Sequence, residues 1–191
     1  MAMNRTQAEK QLAQHIPLIG KHIYDGGKFT VFDGFYEVVP KIVVEPGGIP
    51  NGNLTPVGNG MGVRVSQGLL NVKDDCALVF GLAHELGHGF KQTLLEKIGM
   101  GQISGCVEEV APDLGAAYVM HLGGWSWSAI RDATTKGVQH GIFDLGWSGN
   151  HPPGAMRATC VASFIELVGD GNDFTDCVKA ICLSMQGKKG P

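Results

Sequence analysis

Residues 83–88 read Ala-His-Glu-Leu-Gly-His, which places His84 and His88 four positions apart. The mainly apolar flanking residues favour a buried helix, and side chains four apart on a helix are neighbours on one face, with about 5–6 Å between their Cβ atoms. Two imidazoles at that spacing can bind one tetrahedral zinc ion. Glu85 is rotated by about 100° around the helix, so its carboxylate lies beside the metal and can take a proton from a metal-bound water. Burying these three polar groups without partners would cost several kcal/mol, which favours a metal site over histidines that only fill a core.

A third zinc ligand is expected downstream, in the sequence Val107–Asp113. Glu109 and Asp113 are four apart, so Glu109 can bind the metal while Asp113 accepts a hydrogen bond from a ligand histidine and fixes its tautomer. Glu108 is the alternative ligand, but it faces about 100° away from Glu109. Both glutamates could instead be solvated acids stabilised by the start of a helix. Pro112 fits only near that helix start, because deeper inside it would kink the helix.

His151 and Arg157 form a weaker signal, in the sequence His-Pro-Pro-Gly-Ala-Met-Arg. A histidine before two prolines lies on rigid, extended backbone. Amide hydrolysis builds negative charge on the carbonyl oxygen, which a positioned histidine or arginine can stabilise. A structural role for either residue is an equally good interpretation of this segment.

Composition limits the class of protein. The chain has 191 residues, 43% of them hydrophobic, with 29 glycines and a net charge of −3. These values exclude a disordered chain, and the net charge argues against a nucleic-acid partner. The sequence predicts neither a signal peptide nor a transmembrane helix, so we expect a cytoplasmic protein or one exported by a signal-independent route. The five cysteines show no C-x-x-C spacing and favour free thiols, although one or two disulfides are an alternative.

The element pattern predicts an α+β fold. Strands are expected over residues 28–45, with a turn at Asp33–Gly34, and over Gly62–Ser66, with a long functional loop from Glu45 to Gly62 between them. The second half is predicted to be helical, over about 75–92, 107–121, 125–136, 154–168 and 173–184. Residues 1–186 are expected to form a single domain, followed by a disordered tail over 187–191.

Four motifs in this order resemble the catalytic core of the HtpX and CAAX prenyl protease family of gluzincin zinc peptidases. The first is the segment Val63–Leu70, which ends in Gly-Leu-Leu, and the second is the H-E-x-x-H motif. The third is a glutamate four residues before an aspartate, and the fourth is H-P-x-x-x-x-R, found here at His151–Arg157. The match covers roughly residues 60–165. The chain departs from the family at Pro112, where relatives usually carry alanine, and lacks the membrane helices of many relatives.

The resemblance implies a soluble zinc endopeptidase with a zincin-like fold and one Zn²⁺ per chain. It implies Glu85 as the general base and His151 and Arg157 as further catalytic residues that line the site. The implied zinc ligands are His84, His88 and Glu109.

The resemblance also suggests that the strand near Gly62–Ser66 is an edge strand, on which an extended protein or peptide substrate adds as another strand. Val63, Val65 and Ser66 are then the expected substrate-binding residues. Two other functions stay open. The chain could be an antibacterial effector delivered by a secretion system, with an inhibitor or immunity protein as partner. It could also be a catalytically inactive, zincin-like binding module.

Overall fold

The computed structural model describes residues 6–7, 10, 29–31, 34–36, 38–57, 60–101, 105–143 and 151–188. Residues 6–7 and 10 are helical; five strands come next along the described chain, and further helices follow. The strands are β1 (Phe29–Val31), β2 (Gly34–Tyr36), β3 (Val38–Glu45), β4 (Gly52–Val57) and β5 (Gly60–Ser66). The helices are α1 (Gln67–Leu70), α2 (Asp75–Lys97), α3 (Val107–Leu122), α4 (Trp127–Gln139), α5 (Gly154–Gly169) and α6 (Phe174–Met185). The predicted α+β class is confirmed.

Two small sheets form the first half. β1 and β2 pair antiparallel with Val31 opposite Gly34, so Gly34 belongs to the second strand and not to the predicted turn, while position 33 lies outside the described residues. The other sheet has the order β3-β5-β4, with β3 parallel and β4 antiparallel to β5. The prediction of one long loop from Glu45 to Gly62 is therefore wrong, because β4 lies within it.

The expected edge strand is the centre of the sheet. β5 pairs with β3 on one side and with β4 on the other, so its backbone groups are already used in the ladders. Val63 and Val65 are buried in the apolar core, and Ser66 caps α1 by accepting a hydrogen bond from the Leu69 amide. The prediction that β5 is an edge strand is wrong on this ground. Val65 and Ser66 still line the cleft, and the substrate-binding role of Val63, Val65 and Ser66 stays a prediction. Among the described strands of this sheet, β4 has the free edge that lines the cleft.

The starts of the five longer helices agree with the sequence-based prediction to within two residues. Three of them begin at a polar cap: Asp74, Ser126 and Asp173 each accept hydrogen bonds from backbone amides of the first turn. One apolar core contains residues from β3 to α6, and α2 is buried over most of its length. No helix in the described segments is long and apolar enough to cross a membrane.

The crossing of α2 and α3 is close at Gly87. Gly87 of α2 lies against Pro112 of α3, and a Cβ atom at Gly87 would be 2.8 Å from the Pro112 carbonyl oxygen. Pro112 is the sixth residue of α3, where its ring leaves the Glu108 carbonyl without the usual helical donor. The absence of a side chain at Gly87 lets the two helices approach at the level of the histidines.

All five cysteines are free. Four of them are buried, and the Cys106 thiol donates to the Lys188 carbonyl at 3.2 Å. The beginning of the predicted disordered tail is therefore attached to the body of the protein, while residues 189–191 lie outside the described residues.

We expect Gly87→Ala to destabilise the fold by about 1–3 kcal/mol, because the added methyl group must push α2 and α3 apart. Denaturant unfolding of the metal-free chain measures this change. Gly169→Ala is the matched control, since a Cβ atom at the end of α5 would meet nothing within 4 Å and should change stability by about 1 kcal/mol or less. Equal stability of both variants would show that the helix crossing tolerates a side chain.

Candidate metal centre

Helix α2 places three polar side chains at the floor of a cleft. His84 and His88 lie on one face of the helix, with ring centroids 4.8 Å apart, and Glu85 follows His84 around the helix. Nearly all other buried residues of α2 are apolar. The position of this helix is therefore fixed by the core and not by the polar groups themselves. The side chain of His84 is buried, while those of Glu85 and His88 are partly exposed to the cleft.

Glu109 of α3 completes a group of three ligand atoms. The Nε2 atoms of His84 and His88 are 3.2 Å apart, and Glu109 Oε2 lies 3.4 Å from the first and 3.8 Å from the second. In the described part of the chain, this is the one group of three or more His, Cys, Asp or Glu residues whose ligand atoms converge. It could hold a metal ion.

The spacing of the group fits a tetrahedral ion. Ligand bonds of about 2.0–2.1 Å separate the ligand atoms of a tetrahedral site by about 3.3–3.4 Å, close to the three distances observed. Glu109 Oε2 is buried and accepts no hydrogen bond from any described residue. A buried carboxylate oxygen without a donor costs free energy, and a cation between it and the imidazoles would remove that cost.

We call the ligand atoms of His84, His88 and Glu109 the metal group. Behind it, Asp113 and Arg157 form a buried ion pair. Arg157 donates from Nε to Asp113 Oδ2 at 2.8 Å and from Nη2 to Asp113 Oδ1 at 2.7 Å. The same Oδ1 lies 2.8 Å from His84 Nδ1, which leaves His84 Nε2 to face the metal group. Phe143 covers the guanidinium, whose central carbon is 4.2 Å from the ring centroid.

This arrangement bears on the expected role of Arg157. Arg157 is 4% exposed, and both of its short hydrogen bonds go to Asp113, although it also lies among the residues that line the cleft. A guanidinium held in this way favours a positioning role, in which Arg157 orients His84 through Asp113. The predicted catalytic contact of Arg157 stays a prediction.

The buried charges shift the pKa values of the group strongly. Burial and the Arg157 guanidinium lower the pKa of His84, but contacts with the Asp113 and Glu109 carboxylates outweigh them and raise it to about 9. Burial and the neighbouring His84 lower the pKa of His88 to about 4. Because the raised pKa favours the protonated imidazole of His84, a metal ion bound at its Nε2 atom would have to displace a proton.

The pKa values of Glu109 and Glu85 shift in opposite directions. Burial alone would raise the pKa of Glu109, but the nearby His84 and Arg157 lower it well below its usual range. Burial raises the pKa of Glu85, because the opposing effect of His84 does not compensate for it. With both imidazoles neutral, three carboxylates and one guanidinium leave two negative charges, which a divalent cation would balance.

Gly52 at the start of β4 makes room for Glu85. A Cβ atom at Gly52 would lie 2.9 Å from Glu85 Cγ and 3.1 Å from Glu85 Oε1. The edge strand and the carboxylate are therefore in van der Waals contact without a side chain between them. Any residue other than glycine at this position would displace the Glu85 side chain.

The metal group opens into a cleft of about 940 Å³. The chain from Glu45 to Leu54 forms one wall of the cleft, and Gly141–Phe143 and His151 contribute to the rest. His151 is half exposed, and its Nδ1 atom lies 3.6 Å from Glu109 Oε2. Its imidazole therefore borders both the metal group and the space where a ligand would bind.

The structure brings together most of the residues that the sequence singled out. His84, His88 and Glu109 converge, with Glu85 and His151 beside them, whereas Glu108 is outside the group. Sequence reasoning missed Gly52 and Phe143. The sequence around Gly52 contains several glycines, and nothing distinguishes the one that contacts Glu85.

Comparisons with protein-family models, curated proteins and solved structures find no match to this chain. The resemblance to HtpX-type peptidases therefore stays a prediction, supported by its four motifs alone. The chemistry of the site has to be argued from its own geometry.

We expect Glu109→Ala to lower the affinity for a divalent metal by at least tenfold, because it removes one of three converging ligands. Glu108→Ala is the matched control, since it changes the neighbouring carboxylate outside the group. Metal content after dialysis against zinc, measured by elemental analysis, compares the two. Full metal content in Glu109→Ala, or its loss in Glu108→Ala, would contradict the assignment of the ligand.

Proposed function

We propose that this protein is a zinc-dependent endopeptidase with a zincin-like active site. The observation that carries the proposal is the converging triangle of two imidazoles and one carboxylate, with a second carboxylate, Glu85, beside it and not in it. A purely structural zinc site is closed by four protein ligands, whereas a catalytic site keeps one position open. Here the group supplies three ligands and faces a cleft.

Zinc fits the donor set of two neutral nitrogens and one carboxylate oxygen. When bound, zinc lowers the pKa of water toward neutrality and polarises a substrate carbonyl. His84, His88 and Glu109 would hold it. Asp113 keeps the proton of His84 on Nδ1, and Arg157 holds Asp113 in place through two hydrogen bonds.

Glu85 is the general base in this proposal. Its carboxylate takes a proton from the attacking water and passes it to the nitrogen of the leaving amine. The raised pKa of Glu85 suits both steps, because a carboxylate with a pKa nearer to neutrality accepts and returns a proton more readily. His151, half exposed at the border of the metal group, stabilises the oxyanion that develops on the scissile carbonyl.

The substrate would bind along β4. The outer edge of this strand lines the cleft, and an extended peptide can pair with it as an additional strand. Gly52 places that edge against Glu85, so the paired peptide backbone would pass over the catalytic carboxylate. This replaces β5, which the sequence had favoured for the same task.

Glu85→Gln should retain zinc but lose at least a hundredfold in peptide turnover, because the amide cannot accept the proton of water. Cleavage of a quenched-fluorescent peptide mixture, with and without chelator, measures turnover, and elemental analysis measures zinc. Unchanged cleavage by this variant would remove Glu85 from the mechanism. A zinc-loaded chain without any peptidase activity would favour the inactive binding module.

Gly52→Ala should reduce kcat by about tenfold or more while zinc content stays unchanged, because the atoms nearest to the added methyl group all belong to Glu85. Gly48→Ala is the control, since a Cβ atom there would meet nothing within 4 Å. If Gly52→Ala lost zinc together with activity, the substitution would be acting on the metal group and not on Glu85.

A further inference from the structure

The chain leaves α4 through a tight turn that brings Phe143 back against the helix. Gly141 has a φ of +70°, a conformation that glycine adopts without strain. The Gly141 amide donates to the Val138 carbonyl at 3.2 Å. The Ile142 amide donates to the Gly137 carbonyl at 2.8 Å, which completes the hydrogen-bond pattern of a Schellman motif. The end of α4 therefore fixes where the next residue, Phe143, enters the core.

The Phe143 ring is held between two helices. It is 2% exposed, and it makes an edge-to-face contact with Phe80 of α2 at a centroid distance of 5.8 Å. On the other side, a Cβ atom at Gly137 of α4 would lie 3.0 Å from Cε2 of the ring. A ring packed in this way cannot turn without disturbing the core around it.

The face of the Phe143 ring carries the Arg157 guanidinium. The central carbon of the guanidinium lies 4.2 Å from the ring centroid. The face of an aromatic ring is negative and attracts a cation, more strongly where water is excluded. Because Arg157 is almost fully buried, the ring takes the place of water on one side of its charge.

Two carboxylates are within reach of this guanidinium. Arg157 Nη2 donates to Asp113 Oδ1 at 2.7 Å, whereas Nη1 lies 3.9 Å from Glu109 Oε2, beyond hydrogen-bond distance. That Glu109 oxygen is the one that converges with the two imidazoles, and it accepts no hydrogen bond from any described residue. A small movement of the guanidinium toward Glu109 would place a positive charge on the oxygen that a metal ion needs.

We propose that Phe143 is a positioning residue, which holds the Arg157 guanidinium on Asp113 and keeps Glu109 free for a metal ion. The proposal rests on the zinc site of the function proposed above and not on peptide cleavage. Without the aromatic face, the guanidinium would be shared between the two carboxylates and would compete with the metal ion for Glu109. An aliphatic side chain of similar size fills the same space but has no negative face to hold a cation.

Phe143→Leu should lower the affinity for Zn²⁺ at least tenfold, because the guanidinium then competes for a metal ligand. Phe164→Leu is the matched control. Phe164 is also buried and makes edge-to-face contacts, with Trp127 and Phe174. Denaturant unfolding should show that both substitutions reduce stability. Competition for Zn²⁺ with a coloured chelator should show reduced affinity in Phe143→Leu alone.

Gly137→Ala tests the same contact without removing the ring. The added methyl group must push the ring edge by a few tenths of an ångström, while alanine itself suits a helix interior. We expect a smaller loss of Zn²⁺ affinity, about threefold. If Phe143→Leu does not fold, this variant decides: an unchanged affinity would overturn the role of Phe143.

A crystal structure of metal-free Phe143→Leu provides a direct readout. It should show a nitrogen of Arg157 within about 3.2 Å of Glu109 Oε2. An Arg157 that stays on Asp113 alone, with unchanged Zn²⁺ affinity, would overturn the role of Phe143 and leave the proposed function intact. An equal loss of affinity in Phe164→Leu would do the same. Failure of the unaltered chain to bind Zn²⁺ would overturn the proposed function, and the role of Phe143 would fall with it.

Discussion

The close contact between α2 and α3 is the constraint on which the site depends. Two histidines on one helix can approach each other without help, but the third ligand has to come from a different helix. Gly87 and Pro112 allow that approach, since one has no side chain and the other presents a flat ring and a carbonyl. The distance of 3.4 Å between His84 Nε2 and Glu109 Oε2 is a consequence of this packing.

Buried charge is the second organising feature. Asp113 is fully buried, which would be costly for an isolated carboxylate, yet it accepts two hydrogen bonds from Arg157 and contacts His84. Three helices contribute to this network, so the orientation of His84 on α2, a candidate metal ligand, is set by residues on α3 and α5. His84, Asp113 and Arg157 are stable in the core because each one contacts another.

Much of the fold and of the site could be predicted from sequence because the signals were local. The start of α2 follows from the capping residue Asp74, and the candidate metal ligands on α2 follow from the spacing of four residues on a helix. The order of strands could not be predicted in the same way. Whether β5 lies at the edge or in the centre depends on β4, whose Gly- and Pro-rich sequence resembles a loop.

The contact between Arg157 and Asp113 could not be predicted either, because a sequence shows that an arginine is present but not which carboxylate it contacts. Asp113 is 44 residues away along the chain. The contact of Gly52 with Glu85 could not be predicted for the same reason. It joins a strand and a helix, and the sequence does not show that these two elements are neighbours. Such tertiary contacts decide whether a polar residue acts on the substrate or supports another residue.

The packing of Gly87 against Pro112 has a consequence for how the protein matures. In small zinc-dependent modules the ion drives folding, because the ligands have no other reason to meet. Here the apolar core and the helix crossing bring the candidate ligands together. On the function proposed above, the chain would fold first and take up its metal ion afterwards.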